Sequence, residues 1–408
     1  MATFREALAR LFNLPDAGRR LLPLAEKASR TGSLIAFHSQ GHPVWTPRDY
    51  ASLAREGFTQ NAVVYRCVRM IAEAASSVPL LLYEDGRPLD THPLLRLLEA
   101  PNATQCAPDL FDSWYSFLLV SGNAYMEAVS VSGRVRELHV LRPDRMKVVP
   151  GPDGWPEGYE YTASGQSVRF PQDVERGVRP ILHMALFHPD NDLYGLSPLE
   201  PAAAAIDIHN AGGAWNKALL DNSARPSGAL VYTAKEGGLT AEQFERLKSE
   251  LESGYQGMSN AGRPLLLEGG LDWKAMSLSP KDMDFIEAKY TAAREIALAL
   301  GVPPMLLGIP GDNTYANYRE ANLSFWRQTV LPLVNRTAKA LSRWLGEGAQ
   351  LRPDVDAIEA LNSERERLWQ RVQTADFLTV NEKRALVGYG PVEGGDALAR
   401  GASQADPL

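Results

Sequence analysis

The chain has only two cysteines in 408 residues, Cys67 and Cys106, and they form no CxxC pair. Structural zinc of the paired-thiolate kind is therefore disfavoured, and the low cysteine usage fits assembly in a reducing cytoplasm. Basic residues are outnumbered: 42 Lys and Arg against 49 Asp and Glu give a net charge of −7. That balance argues against a protein built to grip nucleic acid, because phosphate contacts need Lys and Arg. It is compatible with a wall past which DNA slides, since like charge keeps the polymer from sticking. No run of about 18 apolar residues occurs, so no membrane span is expected. The phosphate-binding GxxxxGK loop, the GxSxG nucleophile elbow and the HExxH metal motif are all missing, which disfavours an NTPase, an α/β-hydrolase and a zincin. No repeat of 20–50 residues is visible.

What is present is ordinary for a folded chain: 45% hydrophobic and 22% charged residues, enough for two or three domains. Residues 1–44 read as a weakly ordered arm. TPRD at 46–49 suggests a helix start, with Thr46 as the cap and Pro47 in the first turn. Residues 61–77 carry an apolar stripe at Val64, Cys67, Val68, Ile71 and Ala75, which is helical spacing. Pro79 ends it, LLLY reads as a strand, and Gly86-Arg87-Pro88 as a turn. Two more helices are expected at 92–99 and 108–121. The period then changes: 124–131, 135–141, 145–149 and 180–187 read as strands of an antiparallel region, with GPDGWPEG as a loop.

A strong start signal at Ser197-Pro198 with Glu200 predicts a helix over 197–222. Gly212-Gly213 inside it means either a kink or a close approach to a neighbouring helix. Residues 226–279 read as a small α/β insert: GALVY, PLLLE and DWKAMSL as strands, and a helix 241–255 behind a Thr240–Gln243 capping box. Ser279-Pro280 opens a second long helix, 280–300, with a heptad-like seam at Met283, Ile286, Tyr290, Ala293, Ala297 and Leu300. Val302-Pro303-Pro304 and Gly308 then forbid a continuous helix. A loop of roughly fifteen residues follows, long enough to suggest function. Beyond it, 316–345 is helical, with a kink expected at Pro332. A charged helix at 355–376 and a short one at 381–387 complete the chain.

Five segments, in this order, resemble the portal protein family of tailed bacteriophages and gene transfer agents. They are NAVVYRCVRMIAEAASSVPLLLY (61–83), VSGNAYMEAV (120–129), YGLSPLEPAAAAI (194–206), the run from VPPMLLG through NTYANYRE to FWRQTVLPLVN, and LTVNEKRALVGYGPVEGGD (378–396). The resemblance covers about residues 45–400. It implies an α+β portal-type fold: an α/β wing (45–197 with 319–346), two stem helices (198–225 and 280–301), a clip (226–279), a tunnel loop (302–318) and a helical crown (350–408). It also implies a non-enzymatic ring, normally a dodecamer, at one capsid vertex of a virion or gene-transfer-agent particle. That ring is the channel for DNA packaging and ejection. Expected partners are the major capsid protein, the terminase large subunit, a head-tail adaptor protein and double-stranded DNA, with no cofactor and no membrane. The tunnel-loop residues Ile309, Gly311, Asp312, Asn313, Thr314, Tyr315 and Asn317 would face DNA. Met283, Ile286, Tyr290, Ala293 and Ala297 would contact a neighbouring subunit.

The competing reading is a metal-dependent α+β enzyme using His183, His188, Asp190 and Asp192, residue types that suit a divalent ion. Against it, HPDND is also ordinary turn chemistry. A generic binding module, monomeric until it meets a partner, is a third reading. SGNAY (121–125) reads as a turn into a strand. The acid pairs Asp282 with Asp284 and Glu242 with Glu245 are candidates for general acid and base, but Asp282 lies in the first helical turn, where a carboxylate offsets the dipole, and the structural reading is favoured.

Overall fold

The apolar stripe at Val64, Cys67, Val68, Ile71 and Ala75 forms the buried face of α1 (Ala62–Ser76), the centre of the main core. A computed structural model describes residues 45–398 apart from 153, 173–178, 222–227, 233–239, 241, 243, 244, 247, 248, 250–270, 276–284 and 311–314. The helix begins where Asn61 Oδ1 accepts from the backbone N–H of Val63 (3.0 Å) and Val64 (3.1 Å), removing two of the four donors a helix start leaves unpaired. Ahead of it the chain turns helical only at Tyr50, where Asp49 Oδ1 takes the Ser52 N–H at 3.0 Å. Thr46 is not the cap, because its N–H (2.9 Å) and its hydroxyl both go to the Asp207 carboxylate.

Strands β1 (Leu80–Glu84) and β2 (Arg87–Leu89) form a hairpin, its turn at Asp85-Gly86, where both residues have positive φ. The turn thus precedes the Gly86-Arg87-Pro88 position expected from sequence. Helices α2 (Pro93–Glu99) and α3 (Ala107–Ser121) follow as predicted. α3 lies along α1 and buries Trp114, Tyr115 and Leu118. Strand β3 (Asn123–Val131) is central in an antiparallel sheet, paired with β4 (Arg134–Leu141) on one side. Strands β5 (Met146–Pro150), β6 (Pro156–Ala163) and β7 (Gln166–Pro171) make a second sheet. β6 begins inside the segment expected to be loop. β8 (Ile181–Ala185) returns to the other side of β3. Tyr125, Met146, Val148, Tyr159 and Ile181 form a small core between the sheets.

Helix α4 (Ala203–Asp221) starts six residues later than its start signal suggested. Pro201 is the cause. It has no N–H to bond back to Ser197, and it disfavours helical backbone at Glu200. The chain makes short turns instead, and the first α-type bond runs from Ile206 N–H to Ala202 O at 2.9 Å. Gly212 and Gly213 lie in unbroken helix. A methyl at Gly212 would meet nothing within 4 Å, and one at Gly213 only Lys289 Nζ at 4.0 Å. Among the described residues no close helix approach explains them.

Of the 226–279 insert, β9 (Gly228–Tyr232) and β10 (Leu271–Ala275) are described and pair antiparallel. PLLLE lies outside the described residues, as do Gln243 and most of the expected 241–255 helix. Helix α5 (Phe285–Ala299) packs against α4. After a 3-10 turn at Pro304–Leu307 come α6 (Tyr315–Ser324), a π-helical stretch Phe325–Val330 and α7 (Leu331–Leu345), without interruption. The wider stretch lies directly ahead of Pro332, and the Leu331 N–H reaches back to Trp326 O. Widening accommodates a ring that would otherwise clash with the carbonyl one turn earlier.

β11 (Gln350–Pro353), not anticipated from sequence, pairs with β1. A 3-10 turn at Glu359–Leu361 leads into α8 (Asn362–Gln373), and α9 (Val380–Leu386) opens on a Thr379–Glu382 capping box. α7 is tied to α3 by Trp114 Nε1–H to Thr337 Oγ1 (3.3 Å) and to the segment ahead of β8 by Trp344 Nε1–H to the Arg179 carbonyl (2.6 Å). Among the described residues no helix is long and apolar enough to cross a membrane.

Candidate channel, subunit-contact and junction sites

The segment after α5 is held to the body of the subunit. The helix ends on Gly301, in the left-handed region at φ 69°, with the Val302 N–H returning to Ala297 O at 2.9 Å. That is the usual way a glycine closes a helix. Thr329 Oγ donates to the Gly301 carbonyl at 2.5 Å, and the Arg294 guanidinium donates to the Pro310 carbonyl. Val302 and Ile309 are buried, Ile309 at 8% exposure. Ile309 therefore packs inward, which corrects the expectation that it presents an apolar contact to DNA. Tyr315 opens α6 and Asn317 is exposed on it, so both belong to a helix and not to a free loop. Gly311, Asp312, Asn313 and Thr314 lie outside the described residues.

The seam on the second long helix divides. Ala293 and Ala297 are buried within their own subunit, Ala297 against the main core beside Ile296 and Leu300. For these two, the expectation of a subunit contact needs correcting: the three-four spacing records packing against α1 and α4. Ile286 and Tyr290 are open, at 67% and 39% exposure. Met283 lies outside the described residues.

The histidine-aspartate group does not assemble. His183 stands on β8, its ring stacked on Tyr125 (centroids 4.3 Å apart) and met edge-on by Tyr159 (5.7 Å). Its Nε2 lies 3.1 Å from Asn123 Oδ1. Burial pushes its pKa down to about 4, so the ring is neutral and packed. His188 Nδ1 accepts the Asp190 N–H at 3.0 Å, and Asn191 Oδ1 accepts from Leu193 and Tyr194. These are turn contacts. Among the described residues no group of three or more His, Cys, Asp or Glu is placed to hold a metal. The metalloenzyme reading is not supported.

The sequence reading missed a junction where SGNAY meets YGLSP. Asn123 is buried, and its Oδ1 accepts the Gly195 N–H at 2.7 Å, while Nδ2 donates to the carbonyls of Gly195 (3.1 Å) and Ser121 (3.0 Å). Ser197 Oγ donates to Val120 O at 2.7 Å. Gly195 packs so tightly that an added methyl carbon would sit 2.2 Å from the Gly122 carbonyl. The signal was available: a glycine and a short polar residue in each segment. The junction fixes where the sheet hands over to α4. Lower on the same helix, Asn210 Oδ1 accepts from Asn61 Nδ2 (2.9 Å), and Asn210 Nδ2 donates to Glu56 O (2.8 Å).

Comparison with known proteins agrees with this architecture. Residues 62–388 match the model of a family described as phage portal protein. A protein of Rickettsia bellii is 43% identical over 349 residues, covering 84% of this chain and 90% of that one. The portal protein of Enterobacteria phage HK97 is 25% identical over 413 residues, covering 96% and 91%. Among solved structures, a chain in the neck of an empty GTA particle computed with C6 symmetry is 54% identical, with TM-score 0.67, over 86% of this chain and 96% of that one. The corresponding chain in the neck of a native GTA particle, computed with C12 symmetry, has the same identity and coverage, with TM-score 0.65.

Proposed function

Because this chain belongs to the phage portal protein family, we propose that twelve copies close into a ring at one vertex of a gene-transfer-agent-like particle and form the passage for double-stranded DNA. The observation that carries this reading is the 54% identity with a chain in a neck computed with C12 symmetry. The proposed parts follow the elements. The wing is the two-sheet body with α1, α3 and the α6–α7 helix. The stem is α4 with α5, the clip contains β9 and β10, and the crown contains α8 and α9. Of the tunnel loop, 311–314 is the stretch left to approach DNA, since the residues ahead of it are held to the stem by Arg294 and to the wing by Thr329. Asp312 is the one residue in 302–318 that is charged at neutral pH, so the loop would act on the duplex by shape rather than by holding phosphates.

The major capsid protein, terminase large subunit and head-tail adaptor are the proposed partners, the last two docking at the clip. Negative-stain class averages of the purified chain test the ring. Twelvefold annular particles are the expected result. A monomer by sedimentation at every concentration would refute it and favour a module that waits for its partner.

A further inference from the structure

We infer that a cleft between the π-helical stretch and α8 is a phosphate-backbone site for the DNA duplex. The inference rests on the portal reading for the polyanion the ring meets. The cleft has a volume of about 800 Å³, and its polar lining is Arg327, Arg365, Arg367, Arg371, Gln370 and Thr374. Among the described residues no acidic side chain lines it, in a chain whose net charge is −7. A concentration of arginine against the overall balance is a local feature, not part of a basic surface.

Two observations within the cleft call for an acceptor. Arg365 pairs with Asp356 through one terminal nitrogen and reaches the Val387 carbonyl at 3.3 Å. Its Nε is nevertheless buried with no hydrogen-bond partner. A buried donor left unpaired is destabilising, and a ligand oxygen in the cleft would remove that cost. Arg367 and Arg371 are exposed and make no ion pair among the described residues, unlike Arg69 and Arg142, which each hold a carboxylate. They sit four residues apart, one turn of α8, about 6 Å along the axis. Their forks present parallel N–H donors suited to phosphate oxygens. All the cationic groups are arginine, whose planar guanidinium fork suits bidentate recognition of phosphate oxygens.

The test uses the full-length assembled protein and a short fluorescent DNA duplex, titrated at several salt concentrations. The double variant Arg367→Ala/Arg371→Ala is expected to weaken binding about tenfold at low salt and to reduce the slope of log K against log salt by about 2 per site. The double lysine variant should keep most of the slope, since a point charge still displaces counterions. Both positions are exposed and make no ion pair among the described residues, so the fold should hold, and negative stain checks that rings persist. Unchanged duplex binding by intact alanine-variant rings would overturn the proposal. So would rings that fall apart, because the cleft would then be a subunit contact. Poly-glutamate displacing the duplex at equal charge would also overturn it, in favour of an acidic peptide. A wild-type chain that forms no rings, yet loses duplex binding on substitution, would sink the portal reading while leaving the phosphate site standing.

Discussion

Replacing Asn123 by Ala should loosen the join between the β3 sheet and α4 more than any exposed polar substitution nearby. The side chain makes four contacts: Gly195 N–H at 2.7 Å, Gly195 O at 3.1 Å, Ser121 O at 3.0 Å and His183 Nε2 at 3.1 Å. A hydrogen bond contributes about 1 kcal/mol net, and each buried group left unpaired costs about 1–3 kcal/mol. Gly195 is buried and its neighbours are fixed by backbone contact, so relaxation offers little relief. The expected loss is about 4 kcal/mol, allowing for partial rescue by a trapped water. The control is Asn191→Ala in the same loop. It removes two exposed contacts, to Leu193 N–H (2.9 Å) and Tyr194 N–H (3.0 Å), and should cost under about 1 kcal/mol. Urea unfolding at one fixed protein concentration measures both, since assembly makes stability concentration-dependent. Equal losses for the two variants, or an Asn123→Ala loss below about 1 kcal/mol, would refute the reasoning that the buried amide organises this junction.

Acid should destabilise the two-sheet region through His183: with a folded pKa of about 4 against an ordinary 6.5, the unfolded chain binds the proton more tightly. Stability is therefore full above pH 6.5 and is lost as pH falls toward 4, by on the order of 3 kcal/mol. His183→Phe should flatten that part of the stability–pH curve, and an unchanged curve would show that the ring is not the titrating group. On α5, Ala297→Glu puts an unpaired carboxylate in the main core and should prevent folding, whereas Ile286→Glu, at an open position, should leave the subunit folded and weaken only ring assembly. Circular dichroism with sedimentation separates the two, and intact rings from Ile286→Glu would remove that position from the subunit contact.

Helices with a one-sided stripe were legible in the sequence because their pattern is local. The positions of α1, α2 and α3 follow from apolar spacing and end signals, and strands β3, β4, β5 and β8 from alternation. What could not be read depended on distant partners. β11 is four residues, QLRP, with no pattern of its own, and exists because β1 offers an edge. The start of α4 was misplaced because the Ser-Pro signal was weighed without Pro201, which vetoes it. Ala293 and Ala297 illustrate an ambiguity of periodicity: the same three-four spacing serves a neighbouring subunit or the chain's own core, and only burial tells them apart. Family resemblance was readable in five segments, whereas the arginine cleft was not. Arg327 joins Arg365, Arg367 and Arg371 only when α8 folds back onto the π-helical stretch. The sequence showed a charged helix there and nothing to say which charges converge.

The pairing of Tyr83 with Gln350 across β1 and β11 has a consequence during synthesis. β1 is the middle strand of its sheet, so from the time it leaves the ribosome one of its edges stays open until about 270 further residues have been made. At bacterial elongation rates that is tens of seconds. Throughout that interval the nascent chain carries a short apolar strand, LLLYE, with unsatisfied backbone groups, the kind of edge that recruits strands from other chains. Many copies destined for one ring are made together, and a premature β1–β1 pairing between them would compete with the late arrival of β11. Nascent chains halted before residue 350 are expected to need a holding chaperone that the finished chain does not.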